Sequence, residues 1–154
     1  MARLDVNDCW NINGEHATDL SVTTGPYYTC ARPGGGLNIT CIGGGPGFQA
    51  VALWIGPLNV NVANFGANGQ MDTGTPDTTG DGIPESIFVI GDGTNPTPTL
   101  LDFFFFTDAA GIMDIKLQIN PSFPPGVLGT LQAVMGNGPA GIFLTNAVVL
   151  EIIP

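Results

Sequence analysis

The sequence predicts an all-β protein, an antiparallel β-sandwich with about ten strands and little or no helix. Helix is disfavoured because the chain contains 23 glycines and 13 prolines, which cost about 1 and 3 kcal/mol each inside a helix. Strands are favoured because apolar and polar residues alternate in segments 58–62 and 114–119. A period of two places one face of a strand on a core and the other face in water.

Turn residues divide the chain into short segments with strand character. In chain order, the predicted strands are 19–24, 27–31, 37–42, 48–55, 58–62, 86–90, 99–107, 114–119, 127–135 and 142–152. Their connections are too short for helical crossovers, so antiparallel pairing is expected. We expect a single domain over 1–154, with an extended N-terminal arm at 1–12 and a long Gly-, Asn- and Asp-rich loop at 66–85.

The chain carries few charges, and most of them are negative. Only 10% of its residues are charged and the net charge is −10, with three basic residues, Arg3, Arg32 and Lys116. Nucleic acids and anionic membrane surfaces both require a cationic face, so neither is expected as a partner. A run of about 18 apolar residues, long enough to insert into a membrane, is also absent. A neutral polar surface is typical of extracellular and assembling proteins, whose contacts avoid burying charge.

Two predicted strands are apolar on both faces. Segment 103–106 consists of four phenylalanines, and 148–150 near the C-terminus is entirely aliphatic. Such a strand is either central, with its outer face covered by its own chain, or lies at a contact between subunits. The second alternative makes four residues candidates for an assembly surface: Phe103, Phe105, Val148 and Leu150.

The three cysteines are an odd number, so they cannot all pair within one chain. Cys30 and Cys41 flank a Pro-Gly-Gly-Gly turn, and a Cys30–Cys41 disulfide would stabilise the fold by on the order of 3 kcal/mol. Cys9 would then remain a buried thiol. The alternatives are that Cys9 pairs with Cys30, with Cys41 or with another subunit. No Cys-x-x-Cys motif supports a zinc site or thioredoxin-type chemistry.

An acidic, glycine-containing loop is the best candidate for a metal site. Residues 77–85 read Asp-Thr-Thr-Gly-Asp-Gly-Ile-Pro-Glu, which resembles the calcium loops of dockerins and thrombospondin type 3 repeats. The resemblance implies calcium binding by Asp77, Asp81 and Glu85, because calcium prefers several hard oxygen ligands and a glycine allows the sharp turn. Thr79 departs from the pattern, which has Asn or Asp there. The alternative is an ordinary acidic turn.

The C-terminal part of the chain carries a second resemblance. Segments 107–111, 131–133 and 144–147 read Thr-Asp-Ala-Ala-Gly, Leu-Gln-Ala and Leu-Thr-Asn-Ala. They resemble the C-terminal β-sandwich modules of secreted bacterial proteins. The resemblance implies an immunoglobulin-like or jelly-roll-like sandwich and export from the cell. In this arrangement Asn146 would hydrogen-bond a neighbouring loop.

Catalysis is not expected. His16 is the only histidine and lies in a polar segment, and no Gly-x-Ser-x-Gly motif is present. Carbohydrate binding stays open because sugar sites use aromatic platforms, and the available rings are Trp10, Trp54, Tyr27 and Tyr28.

We therefore expect a structural subunit that self-assembles into an extracellular filament, layer or particle coat. Strand addition by 3–6 or by 142–152 would join neighbouring copies. One alternative is a monomeric secreted module that binds carbohydrate or a surface. The N-terminus lacks the apolar run of a signal peptide, which would also fit a viral capsid or decoration protein. Asn38 begins an Asn-Ile-Thr sequon and would carry a glycan where secreted proteins are glycosylated.

Overall fold

The computed structural model describes residues 3–6, 27–43, 47–136 and 141–154. The described strands are β1 Arg3–Val6, β2 Tyr27–Ala31, β3 Gly36–Ile42, β4 Val51–Gly56, β5 Leu58–Asn64, β6 Gln70–Thr73, β7 Phe88–Asp92, β8 Ile112–Gln118, β9 Gly126–Gly136, β10 Ile142–Leu144 and β11 Val148–Ile152. Helical structure within these ranges consists of the 3₁₀ turns η1 Gly66–Asn68 and η2 Asp102–Phe104. The described part of the chain has no helix long and apolar enough to span a membrane. The all-β prediction is confirmed.

The strands form two principal sheets that share one core. A six-stranded sheet has the order β2-β11-β9-β4-β7, with β10 also paired to β9, and a three-stranded sheet has the order β1-β3-β8. Buried side chains from both sheets make up the core, including Ile39 and Met113 from one and Leu53, Leu131 and Leu150 from the other. Their shared burial produces the predicted sandwich. Strands β5 and β6 form a separate two-stranded sheet.

The pairing is antiparallel throughout the described sheets with one exception, because β2 and β11 run parallel. The N-terminal strand β1 pairs with β3 of its own chain. The side chain of Asn146 secures it further: its Oδ1 accepts the Leu4 N–H at 2.9 Å and its Nδ2 donates to the Leu4 carbonyl at 3.0 Å. Asn146 thus bonds a strand rather than the expected loop, and 3–6 is not a free arm.

Several predicted strands differ from the structure. Segment 99–107 contains the 3₁₀ turn η2 instead of a strand, and the predicted loop 66–85 contains η1 and strand β6. Segment 142–152 is divided into β10 and β11. The predicted strand 19–24 lies outside the described residues.

The prediction that the aliphatic face of 58–62 packs on the core is wrong. Leu58 is 39% and Val60 is 59% exposed. The regular alternation fails because Asn61 adopts a positive φ of 58° and because the pairing of β5 with β6 shifts register between Leu58 and Ala63. In β8 the alternation holds, since Met113 is buried while Asp114 and Lys116 are exposed.

The predicted Cys30–Cys41 disulfide is also wrong. Cys30 is disulfide-bonded, whereas Cys41 is a buried thiol. The two cysteines lie in different sheets, since Cys30 belongs to β2 and Cys41 to β3. The turn between these strands passes from one sheet to the other instead of forming a hairpin. The third cysteine of the sequence, Cys9, lies outside the described residues.

The buried amide of Gln132 ties the β5–β6 sheet to the sandwich. Its Oε1 accepts the Asp72 N–H at 2.9 Å and the Thr73 hydroxyl at 2.7 Å. Its Nε2 donates to the carbonyls of Gln70 at 2.8 Å and Thr145 at 2.9 Å. Four hydrogen bonds satisfy the amide, so it can be fully buried without an unpaired polar atom.

Close packing of Phe105 against β7 leads to a testable prediction. A Cβ added at Gly91 would lie 2.1 Å from a ring carbon of Phe105, whose side chain is fully buried. We expect Gly91→Ala to lower the free energy of unfolding by about 1–3 kcal/mol, the usual cost of overpacking a core. Chemical denaturation measures the change. Gly36→Ala is the control, because a Cβ at Gly36 meets nothing within 4 Å; equal losses in both variants would contradict the packing argument.

Candidate assembly surface

The segment that precedes the four phenylalanines is held by the carboxylate of Asp102. This side chain is only 5% exposed. Its Oδ1 accepts the Asp92 N–H at 2.9 Å, and its Oδ2 accepts the Thr99 N–H at 2.8 Å and the Asn95 amide at 3.0 Å. These bonds join the loop after β7 to the start of η2. The backbone N–H groups of Thr99 and Asp92 hold the pKa of Asp102 below its usual value, because they favour the charged form.

Phe105 is the member of the phenylalanine run that enters the core. Its N–H donates to the Asp102 carbonyl at 3.1 Å, and its carbonyl accepts the Val51 N–H at 3.0 Å. Phe106 then forms an isolated antiparallel bridge with Ala50. The 3₁₀ turn followed by this bridge directs Phe105 inward.

The neighbours of Phe105 are left in solvent. Phe103 is 63%, Phe104 62% and Phe106 43% exposed, and Leu100 just before them is 80% exposed. We call Leu100, Leu101, Phe103, Phe104 and Phe106 the apolar segment. The only charged residue between Leu100 and Phe106 is Asp102, which is buried. Contiguous exposed apolar residues are uncommon on monomeric proteins and typically mark a contact surface.

A shallow open groove lies beside the apolar segment. It is lined by Phe104, Phe106, Thr107 and Asp108 and by Ile112–Ile115 of β8. The groove therefore brings two of the exposed aromatic rings next to an edge of the three-stranded sheet.

Only one of the four predicted assembly residues lies on the surface. Phe103 is exposed, whereas Phe105, Val148 and Leu150 are buried in the core of the chain itself, so placing these three at a contact surface is wrong. Strand β11 lies between β2 and β9. Of the two alternatives for an apolar strand, the C-terminal strand is therefore the central one, covered by its own chain.

Sequence reasoning missed Leu100, Leu101, Phe104 and Phe106. The uninterrupted run of phenylalanines was a signal for a surface contact, but a strand-like period of two grouped the exposed Phe103 with the buried Phe105. The 3₁₀ turn has a period near three, and it buries a single phenylalanine.

The three predicted calcium ligands cap turns within their own loop. Asp77 Oδ1 accepts the N–H groups of Thr79 at 2.9 Å and Gly80 at 2.8 Å, and its Oδ2 accepts that of Gly82 at 2.7 Å. Hydrogen bonds from the backbone of Gly82 and Gly80, in that order, lower the pKa of Asp77. Asp81 Oδ1 accepts the Ile83 N–H at 2.8 Å.

Glu85 closes the same loop. Its Oε1 accepts the hydroxyl of Thr78 at 2.6 Å and the Thr78 N–H at 3.0 Å, and these bonds, the hydroxyl first, lower the pKa of Glu85. Backbone bonds between Thr75 and Glu85 join the loop ends. Across the described ranges, no three His, Cys, Asp or Glu side chains are grouped as metal ligands. Calcium binding stays a prediction.

The remaining candidates lie apart. Trp54 is buried with Met71 and Leu144 and cannot act as a sugar platform. Tyr27 is half-buried and Tyr28 exposed on β2. Asn38 is exposed in the middle of β3. Trp10 and His16 lie outside the described residues.

No protein-family model matches the sequence, and a search of curated proteins finds no match.

The carboxylate of Asp102 makes the apolar segment sensitive to acid. Because its folded-state pKa is below the unfolded value of about 3.9, it stabilises the fold above that pH, and this contribution is lost as the pH falls through the lower folded pKa. We expect Asp102→Asn to lower Tm at pH 7 and to make the loss of Tm between about pH 5 and pH 2 shallower. Calorimetry across this range measures both effects.

Glu151→Gln is the control for Asp102→Asn, because Glu151 is an exposed carboxylate on β11. An Asp102→Asn curve parallel to that of the wild type would contradict the assigned role of Asp102. Part of the acid dependence should remain in either variant, because the pKa values of Asp77 and Glu85 are lowered as well.

Proposed function

We propose that this protein is a structural subunit of an extracellular self-assembling filament, layer or particle coat. The observation that carries the proposal is the apolar segment, in which three phenylalanines are 43–63% exposed. Moving a phenylalanine side chain from full exposure to full burial stabilises by about 1.5–3 kcal/mol, so burial of one of these half-exposed rings contributes roughly half of that to association. Contact between a few such rings on two copies is therefore enough to offset part of the entropic cost of association.

The charge distribution supports the same function. Only 10% of the residues are charged, so a contact between copies removes few ions from water. Every copy carries a net charge of −10, which opposes association. At physiological ionic strength this repulsion is screened beyond about 8 Å. Assembly should therefore strengthen with added salt.

The sequence-based mechanism of assembly requires revision. Strand addition was expected from 3–6 or from 142–152, but β1, β10 and β11 are all paired within their own chain. Neither segment is a free arm, although among the described strands β1 and β10 each pair on one side only. The apolar segment and the unpaired edges of the sheets are the remaining means of association.

We place the protein outside the cell, either secreted or on the cell surface, with a virus particle as the alternative location. A disulfide at Cys30 is usual in oxidising compartments, which supports export. The alternative function is a monomeric secreted module that binds carbohydrate or a surface. The groove beside Phe104 and Phe106 favours that alternative, because exposed rings next to polar groups can stack on a sugar.

Removal of the apolar segment's rings tests the proposal. We expect the double variant Phe103→Ser/Phe104→Ser to lower the association constant at least tenfold, because a factor of ten corresponds to about 1.4 kcal/mol. Sedimentation velocity over a concentration series, together with electron microscopy, measures assembly.

Tyr28→Ser is the matched control for this variant. Tyr28 is 58% exposed and lies on β2, which is one edge strand of the six-stranded sheet, whereas β7 is the other. Equal assembly of wild type and double variant would contradict the role of the apolar segment. A wild-type protein that stays monomeric at high concentration and binds oligosaccharides would favour the alternative function.

Calcium binding by the loop 77–85 is a further part of the proposal. We expect calcium, and not magnesium at the same concentration, to raise Tm with a dependence on its concentration, since a ligand of the folded state stabilises it. Asp77→Asn and Glu85→Gln should remove the effect, and Glu151→Gln should leave it unchanged. Equal shifts with both cations, or an undiminished shift in Asp77→Asn, would contradict a calcium site. Calorimetry provides the measurement.

A further inference from the structure

Strand β8 is an open edge of the three-stranded sheet. It consists of Ile112–Gln118 and pairs with β3 over its full length. Within the part of the chain that the structure describes, no strand pairs with its other side. An edge strand of seven residues without a covering partner offers unpaired peptide groups to another chain.

Hydrogen bonds at the ends of β8 show which peptide groups face the open side. Ile119, directly after β8, donates to the Gly35 carbonyl at 2.8 Å and accepts the Gly34 N–H at 3.0 Å. Because peptide groups alternate along a strand, the odd-numbered residues of β8 are directed towards β3. The even-numbered residues Asp114, Lys116 and Gln118 direct their N–H and C=O groups to the open edge.

Ile112 confirms this alternation at the start of the strand. Its carbonyl accepts the Asp108 N–H at 2.8 Å, and its N–H donates to Asp108 Oδ1 at 3.0 Å. Asp108 thus satisfies the outward peptide groups of Ile112. The unpaired positions are those that follow, at Asp114, Lys116 and Gln118.

The charges on the edge are arranged symmetrically. Asp114 and Lys116 flank Ile115, and Lys116 is the only lysine of the chain. Both side chains are exposed. When two copies of β8 run antiparallel about a two-fold axis at Ile115, Asp114 of each copy lies opposite Lys116 of the other.

We propose that β8 pairs with β8 of a second copy in this register, which joins the two three-stranded sheets into one continuous sheet. The proposal rests on the self-assembly proposed above and names its partner and its register. Asp114 and Lys116 of each copy then exchange backbone bonds with Lys116 and Asp114 of the other, whereas Gln118 lies opposite Ile112, whose outward peptide groups Asp108 already satisfies.

Electrostatics selects this register over its neighbours. Moving the axis to Asp114 places the two Asp114 carboxylates opposite each other, and moving it to Lys116 does the same for the two lysines. Opposite charges in directly facing pairs stabilise a sheet, and like charges destabilise it. Of these three registers that match the outward peptide groups, the one centred on Ile115 alone forms two pairs of opposite charge.

The inner face of the edge is compatible with this pairing. Met113 is buried, whereas Ile115 and Leu117 are only half-buried. Pairing places Ile115 beside Ile115 of the second copy, and Met113 beside Leu117. The apolar face of the sheet is therefore continuous across the contact.

The contact also places a limit on growth. A two-fold contact uses the same surface of both copies and closes at a dimer. Growth into a filament or layer requires a second surface, and Leu100, Leu101 and Phe103 of the apolar segment do not line the groove beside β8. The dimer and the larger assembly are therefore separable by mutation.

Charge reversal with rescue tests the register. Lys116→Asp places one carboxylate opposite Asp114 of each partner, and Asp114→Lys places one ammonium group opposite each Lys116. We expect each single variant to weaken dimerisation about tenfold and the double variant Asp114→Lys/Lys116→Asp to restore it. A folding defect would not be rescued in this way. Glu151→Lys is the control, since it changes the net charge as much as Asp114→Lys does. Sedimentation equilibrium provides the dimer constant.

Cross-linking provides a second readout that does not depend on the charges. In this register the Ile115 Cα atoms form a non-hydrogen-bonded pair about 4.5 Å apart, within the range of a disulfide. We expect Ile115→Cys to give a disulfide-linked dimer under mild oxidation. Leu117→Cys, equally half-buried on the same face, should not, because the two substituted residues are then four positions out of register. The wild type, with its native cysteines, is run in parallel.

The outcomes separate this inference from the proposed function. One outcome is that the wild type assembles, but the double variant restores nothing and Ile115→Cys forms no cross-link. This outcome overturns β8 pairing and leaves the proposal of self-assembly intact. Dimers that require Asp114 and Lys116 but never grow support β8 pairing and contradict the filament, layer or coat. A wild type that is monomeric throughout overturns both.

Discussion

The packing of Phe105 between the two sheets is the constraint on which the surface of this protein depends. Its fully buried ring lies against Gly91, where any larger residue would collide with it. Because the chain reaches this position through a 3₁₀ turn, the phenylalanines on either side are left in solvent. The hydrogen bonds of Asp102 hold the turn in place. Core packing and exposed apolar surface are thus two results of the same local structure.

Neutral side chains perform much of the cross-linking that ion pairs perform elsewhere. Gln132 joins the β5–β6 sheet to the sandwich through four hydrogen bonds, and Asn146 holds β1 by pairing with both backbone groups of Leu4. The acidic side chains of the loops act in the same way, because Asp77, Glu85 and Asp102 accept N–H and O–H groups. In the described loops these carboxylates are therefore engaged by hydrogen bonds from their own turns.

The success of sequence reasoning varied with the regularity of each element. In β8 the alternation of apolar and polar residues was interpreted correctly, because a long regular pairing with β3 preserves the period of two. In β5 the same pattern failed, since Asn61 with its positive φ and a shift in register interrupt the strand. The phenylalanine run was assigned the period of a strand, although it begins in a 3₁₀ turn. The predicted Cys30–Cys41 disulfide required a hairpin between β2 and β3, but the chain passes from one sheet to the other at that point. The acidic loop was found from its spacing, but its carboxylates bond the loop's own backbone.

By itself, the sequence determined the all-β class, the approximate positions of most strands and the shortage of charge, because these follow from composition and from local periodicity. Only the tertiary structure decided which strands became edges, which phenylalanine entered the core and where each cysteine lay. These features depend on contacts between residues far apart in the chain, such as Phe105 with Gly91 or Leu4 with Asn146. Local preference is the same on both faces of an apolar strand, so the choice between core and surface is made only when the sheets pack together.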